Sequence, residues 1–174
     1  MSEQHIRNTA FSFALLVASS GAFAAGSHAG EHGDGISAIG APGKSAQVTL
    51  TFNVDMTDNM RYTPAEIAVK QGETIRIVVK NSGQLKHELV LGTPQDLKKH
   101  YDMMLKMPGM EHADANMVSV APGKTGEVIW HFTQSGKVDF ACMQPGHYEA
   151  GMKGLVKVAG DKEATNKGHG NHKD

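Results

Sequence analysis

Cys142, His147 and Met152 set a thiol, an imidazole and a thioether on one short stretch, Cys-Met-Gln-Pro-Gly-His-Tyr-Glu-Ala-Gly-Met, at intervals of five residues. A soft thiolate with imidazole and a weak thioether suits a copper ion that cycles between Cu(I) and Cu(II). Zinc would not normally use the thioether. Pro145, Gly146 and Gly151 permit tight turns, so a single loop can present all three donors. Such a loop does not readily supply a fourth donor from the opposite side, so a second imidazole must come from another strand. His87 qualifies, lying just after a turn signal and just before the apolar Leu89-Val90-Leu91. Cys142 is the one cysteine of the chain and can form no internal disulfide. In an oxidising compartment a lone thiol suggests a reactive group or a metal ligand, with a buried inert cysteine as the alternative.

A second donor-rich segment runs from Tyr101 to His112 and contains Met103, Met107 and Met110. If helical, it puts His100, Met103 and Met107 on one face, while Met104 joins Leu97 and Tyr101 on the core face. Thioethers prefer Cu(I), so Met103, Met107, Met110 and His112 form a candidate secondary Cu(I) site, to which Met56 and Met60 could add. Methionine is also a flexible core filler, the role expected of Met104 and Met117. His28 and His32, and His169 and His172, are candidate scavengers of Cu(II) or Zn(II). His131 reads as structural.

These donors need a rigid frame, and the patterning supplies one. Val48, Leu50, Phe52 and Val54 alternate with polar residues, as do Ile75, Ile77 and Val79, and later Val128, Trp130 and Phe132. Ile67 and Val69, Glu88–Leu91, Val138–Ala141 and Leu155–Val158 add shorter strands, separated by turn signals such as Gln71-Gly72 and Asn81-Ser82-Gly83. About seven short strands argue for an all-β fold, an antiparallel Greek-key β-sandwich. One helical insertion, about residues 93–116, interrupts it: Thr93 can N-cap, Pro94 suits the first helical position, and Pro108-Gly109 stops the helix.

The remaining segments bound the domain. Residues 1–24 carry a short apolar run ending in Ala22-Phe23-Ala24, the pattern of a signal peptide cleaved after about Ala24. Residues 25–45 are rich in Gly, Ala, Ser and His and read as a flexible arm; residues 161–174 read as a disordered tail. The domain spans 46–160. A net charge of −1 gives no broad field for nucleic acid or an anionic membrane. Export to the periplasm as a soluble monomer is expected, with no membrane insertion after signal cleavage.

Cys142-x4-His147-x4-Met152, with His87 upstream after a strand ending in Asn81, resembles the type 1 copper signature of the cupredoxins. Its loop spacing is similar to that of the rusticyanin and auracyanin members, and the likeness covers about residues 46–159. The resemblance implies one copper ion with His87, Cys142 and His147 as equatorial ligands and Met152 axial. His87-Glu-Leu-Val-Leu-Gly, the Met-rich insertion, Ala121-Pro-Gly-Lys-Thr and Pro145-Gly-His-Tyr-Glu-Ala-Gly-Met are similar to the periplasmic cupredoxins of bacterial copper tolerance. Many cupredoxins tie the two ligand loops through Asn or Asp after the first histidine and Ser or Thr after the cysteine; Glu88 and Met143 depart from that pattern. The family works by one-electron transfer and copper binding rather than as an enzyme, with weak Cu(I) oxidation within its reach. The implied function is copper tolerance, and the alternative is a soluble electron carrier between respiratory or photosynthetic partners. In either case a redox or copper-transfer partner is expected to dock near His147, on an apolar rim of Met143, Pro145 and Tyr148.

Overall fold

The computed structural model describes residues 38–107, 109–111 and 113–160. The expected signal segment 1–24, the tail 161–174, and His28, His32, His112, His169 and His172 lie outside the described residues. Among the described residues ten strands form: β1 (Ala41–Pro42), β2 (Leu50–Thr57), β3 (Arg61–Thr63), β4 (Glu66–Lys70), β5 (Thr74–Asn81), β6 (His87–Gly92), β7 (Met117–Val120), β8 (Thr125–His131), β9 (Gly136–Ala141) and β10 (Lys153–Ala159). They make two five-stranded sheets, ordered β1-β8-β5-β2-β3 and β4-β10-β9-β6-β7. A 13-residue helix, α1 (Pro94–Lys106), lies between β6 and β7.

The alternation seen in the sequence becomes the packing of the sandwich. Val54 and Met56 of β2, Ile75, Ile77 and Val79 of β5, and Val128 and Trp130 of β8 face one core. Ile67 and Val69 of β4, Leu89 and Leu91 of β6, Phe140 of β9, and Val156 and Val158 of β10 close it from the other sheet. Tyr62 meets Phe140 edge to face, with ring centroids 5.0 Å apart.

Two expectations change. The sheets are mixed rather than wholly antiparallel, because β2 pairs in parallel with β5 and β4 with β10. Parallel neighbours need a crossover, and here β4 leaves for the second sheet before the chain returns as β5. The arm expected over 25–45 is also not free over its last part. Ile39 is buried, Ala41 and Pro42 pair with β8, and the Trp130 indole N–H donates to the Ile39 carbonyl at 2.9 Å. Gly40, at φ +125°, lies so close to His131 that a Cβ there would stand 2.1 Å from its carbonyl oxygen. A two-residue strand is too short to leave a periodic signal.

Helix α1 begins as its sequence dictates. The Thr93 hydroxyl accepts the Asp96 N–H at 3.2 Å, and Pro94 opens the first turn. Leu97, Tyr101 and Met104 are buried against Val90, Met117, Ala141 and Met143 in a second, smaller cluster. β6 is therefore covered on both sides, by the sandwich core and by α1, and every one of its residues is buried.

Candidate metal centre

His87 is the first residue of β6 and is fully buried. The loop leading to it is held by Asn81, whose side-chain amide donates to the Leu85 carbonyl at 2.7 Å and the Val120 carbonyl at 2.9 Å, while its Oδ1 accepts the Gly83 N–H. Cys142 follows β9 directly. The pairing of Val90 with Ala141 brings the start of β6 beside that cysteine, and the Glu88 N–H donates to Cys142 Sγ at 3.3 Å.

From Cys142 the chain makes a compact loop. The His147 N–H donates to the Gln144 carbonyl, the Met152 N–H to the His147 carbonyl, and the Cys142 N–H to the Met152 carbonyl, all at 3.0–3.1 Å. Gly146 and Gly151 hold φ of +85° and +90°, the left-handed region that glycine enters without strain. The two ends of the loop thus close on each other, and buried Met152 packs in the same cluster as Cys142.

One donor atom each from His87, Cys142 and His147 lie within 4.8 Å of one another. The two Nδ1 atoms are 3.2 Å apart, and Cys142 Sγ is 3.4 Å from His147 Nδ1. Nitrogens bonded at about 2 Å to one shared ion in a trigonal plane stand about 3.5 Å apart, so the spacing fits a single cation. One cysteine sulfur, two imidazoles and a buried methionine whose carbonyl bonds the Cys142 N–H fit copper in particular.

Burial dominates the electrostatics of the metal-free site. Burial pushes the Cys142 thiol up to about 12, against the smaller opposing effect of the Gln144 and Glu88 N–H groups. Burial also lowers His147, and the neighbouring His87 lowers it further, so its imidazole stays neutral and able to ligate. Asp58, in the turn after β2, accepts from His87 Nε2 at 2.9 Å. Its carboxyl is held below the usual value, first by the Gln84 N–H and then by His87.

The surroundings supply what the motif lacked. Glu88 is buried and its Oε1 accepts from both Ser119 Oγ and Gln144 Nε2 at 2.7 Å. It thereby ties the His87 strand to the residue two beyond Cys142, in the place of the Asn-to-Ser tie that this chain departs from. The insertion contributes as well: Tyr101 Oη accepts the Gly146 N–H at 2.9 Å and donates to Glu149. Its ring stacks on Tyr148, over which Lys153 Nζ sits 3.6 Å from the centroid. From the other side, Arg61 Nη1 donates to the Ala150 carbonyl at 2.9 Å. Asp58, Tyr101 and Gln144 carried no signal in the sequence, because each acts only through a partner brought near by the fold.

The other candidate residues separate clearly. Met103 is half-buried on α1, and Met107 and Met110 are 41% and 40% exposed just past its end. Met56 is fully buried in the sandwich core and Met60 packs against it, so neither belongs with the insertion's methionines. Met143 is not part of an exposed rim; it is fully buried in the cluster that α1 forms with Val90, Met117 and Ala141. The loop surface is left to Pro145 and half-buried Tyr148, beside a half-buried His147. His131 is structural, its Nδ1 3.0 Å from Thr74 Oγ1.

Comparison with known proteins agrees with this geometry. The copper-resistant cuproprotein CopI of Rubrivivax gelatinosus is 49% identical over 132 residues, spanning 75% of this chain and 80% of that protein. CopI of Vibrio cholerae serotype O1 is 38% identical over 126 residues, 72% and 75% of the two chains. Among solved structures, reduced auracyanin from Roseiflexus castenholzii aligns with a TM-score of 0.57 at 24% identity, covering 64% of this chain and 98% of that one. An azurin from Methylomonas sp. strain J aligns at 0.52 and 17%, covering 64% and 98%; both support the fold. The sequence profile of the copper binding proteins of the plastocyanin/azurin family matches residues 48–159, and the chain belongs to that family.

Proposed function

We propose that this protein is a periplasmic cupredoxin that holds one copper ion through His87, Cys142, His147 and, more weakly, Met152, and that it serves copper tolerance. The observation that carries this is the convergence of the three strong donors within 4.8 Å on a preformed frame. It is supported by 49% identity to a protein named for copper resistance. A bound copper ion supplies one-electron chemistry, Cu(I) to Cu(II) and back. The chain's part is to hold the donors still, keep water from the buried Cys142 and His87, and leave one edge of His147 toward solvent as the route for an electron. Export rests on the signal pattern over residues 1–24, and no helix among the described residues is long and apolar enough to cross a membrane.

Loading the folded protein with Cu(II) should produce an intense visible sulfur-to-copper charge-transfer band. Its absence from copper-loaded, folded protein overturns the ligand assignment. Deleting the gene should sensitise cells to copper; normal copper tolerance with a respiratory defect favours the electron-carrier reading, which the half-exposed His147 also suits.

A secondary Cu(I) site on Met103, Met107, Met110 and His112, the last outside the described residues, is part of this proposal. Exposure of Met107 and Met110 argues against their serving as core filler. The Met110 N–H donates to the Met107 carbonyl, and the Met107 N–H to the Met103 carbonyl, so backbone hydrogen bonds link the three in succession. More than one Cu(I) bound per protein, falling to one in a Met107→Leu, Met110→Leu variant, supports the site. A count of one in the unaltered protein removes it.

A further inference from the structure

We infer that Asp58 is a positioning residue of the metal centre: its carboxylate sets which nitrogen of His87 faces the ion and favours the oxidised over the reduced metal. An ionised carboxylate only accepts hydrogen bonds, so the 2.9 Å contact from Asp58 Oδ1 to His87 Nε2 requires the proton on Nε2. Nδ1 is then the unprotonated nitrogen, the atom that faces His147 Nδ1 and the cysteine. The imidazole is thereby set for ligation before any metal arrives.

The contact is built rather than incidental. Asp58 Oδ2 accepts the Gln84 N–H at 2.7 Å and Oδ1 the Leu85 N–H at 3.3 Å, so the carboxylate is seated on the same turn that delivers His87. A Cβ at Gly83 would stand 2.0 Å from Asp58 Oδ1, so that turn approaches the carboxylate as closely as it does only because residue 83 is glycine. His87 is fully buried, which keeps water from competing for Nε2. A negative charge on the outer nitrogen makes the inner one a stronger electron donor, and that benefits a doubly charged ion more than a singly charged one.

The inference rests on the copper-centre reading, and the test separates the two. In the metal-free full chain, nitrogen-resolved NMR of the imidazoles should show His87 as the Nε2–H tautomer, and Asp58→Asn or Asp58→Ala should populate the other. With Cu(II) sulfate and Cu(I) as probes, these variants should lose about tenfold more affinity for Cu(II) than for Cu(I), within the 10–100-fold range of outer-shell changes. That ratio corresponds to a reduction potential higher by about 59 mV. Equal losses for the two oxidation states, the result of a merely structural role, overturn the inference. So does a proton on Nδ1 of His87 in the unaltered protein, a measurement that decides the matter even if the variants fail to fold. Failure of the unaltered chain to bind copper sinks the copper reading and leaves the tautomer result standing.

Discussion

The two sides of the metal centre are held by different means. His87 belongs to a strand: it begins β6, is covered by the sandwich core, and rests on a turn tied by Asn81 and Asp58. Cys142, His147 and Met152 belong to a loop whose ends meet through their own backbone. That loop is braced from outside by Tyr101 of α1 and by Arg61 of β3. A strand residue inherits its position from the sheet, whereas a loop donor needs neighbours recruited from distant parts of the chain. Glu88 joins the sides, donating its N–H to Cys142 Sγ and accepting from Gln144 through its carboxylate. The metal centre is thus rigid on one side by secondary structure and on the other by tertiary bracing.

The largest effect should come from the loop's thiol. Cys142→Ser should abolish the charge-transfer band entirely while leaving the fold intact, since the slightly smaller hydroxyl can accept the Glu88 N–H that Sγ accepts. Copper titration followed by visible absorption checks this.

Next in size is a dependence on pH. The metal-free thiol, raised to about 12, keeps its proton throughout the neutral range and must release it on ligation, whereas His147, lowered by burial, has none to lose at pH 7. One proton released per ion means that apparent affinity rises about tenfold per pH unit. At acidic pH, once His147 takes up a proton of its own, a second must be released and the slope should steepen. Competition titrations across pH, with proton release measured in weak buffer, test both parts.

Tyr101→Phe removes the hydroxyl that accepts the Gly146 N–H and donates to Glu149, and touches nothing on the His87 side. A loss of about 1–2 kcal/mol in denaturant unfolding is expected, together with faster copper release. An unchanged release rate would show that the loop needs no brace from α1. The smallest effect belongs to Arg61→Ala. Its bond to the Ala150 carbonyl is exposed, so the cost should be about 0.5–1 kcal/mol, read from the same unfolding curves.

Much of the frame was legible because β-structure writes its burial into alternation. β2, β4, β5, β6, β8, β9 and β10 all fall on the expected runs, and the Thr93 cap and Pro94 mark the start of α1. β1, β3 and β7 were not read, being short or, for β7, following directly on the insertion. Ile39 and the pairing of Ala41–Pro42 were hidden because a two-residue strand is too short to show a period. Met143 was misplaced for a related reason: residue type on a loop does not tell which side a distant helix will cover.

At the centre itself, the proposed donors Cys142, His147 and Met152 were legible in local sequence alone. Their spacing on one glycine- and proline-bearing loop limits what they can hold, whatever surrounds them. His87 followed from the need for a donor on another strand. Only the tertiary structure decided what holds these donors in place: Asp58 on His87, Glu88 on Gln144, and Tyr101 on Gly146. Each of those contacts spans more than 25 positions of sequence, between 29 and 56. An isolated aspartate, glutamate or tyrosine carries no mark of the partner that folding will bring to it.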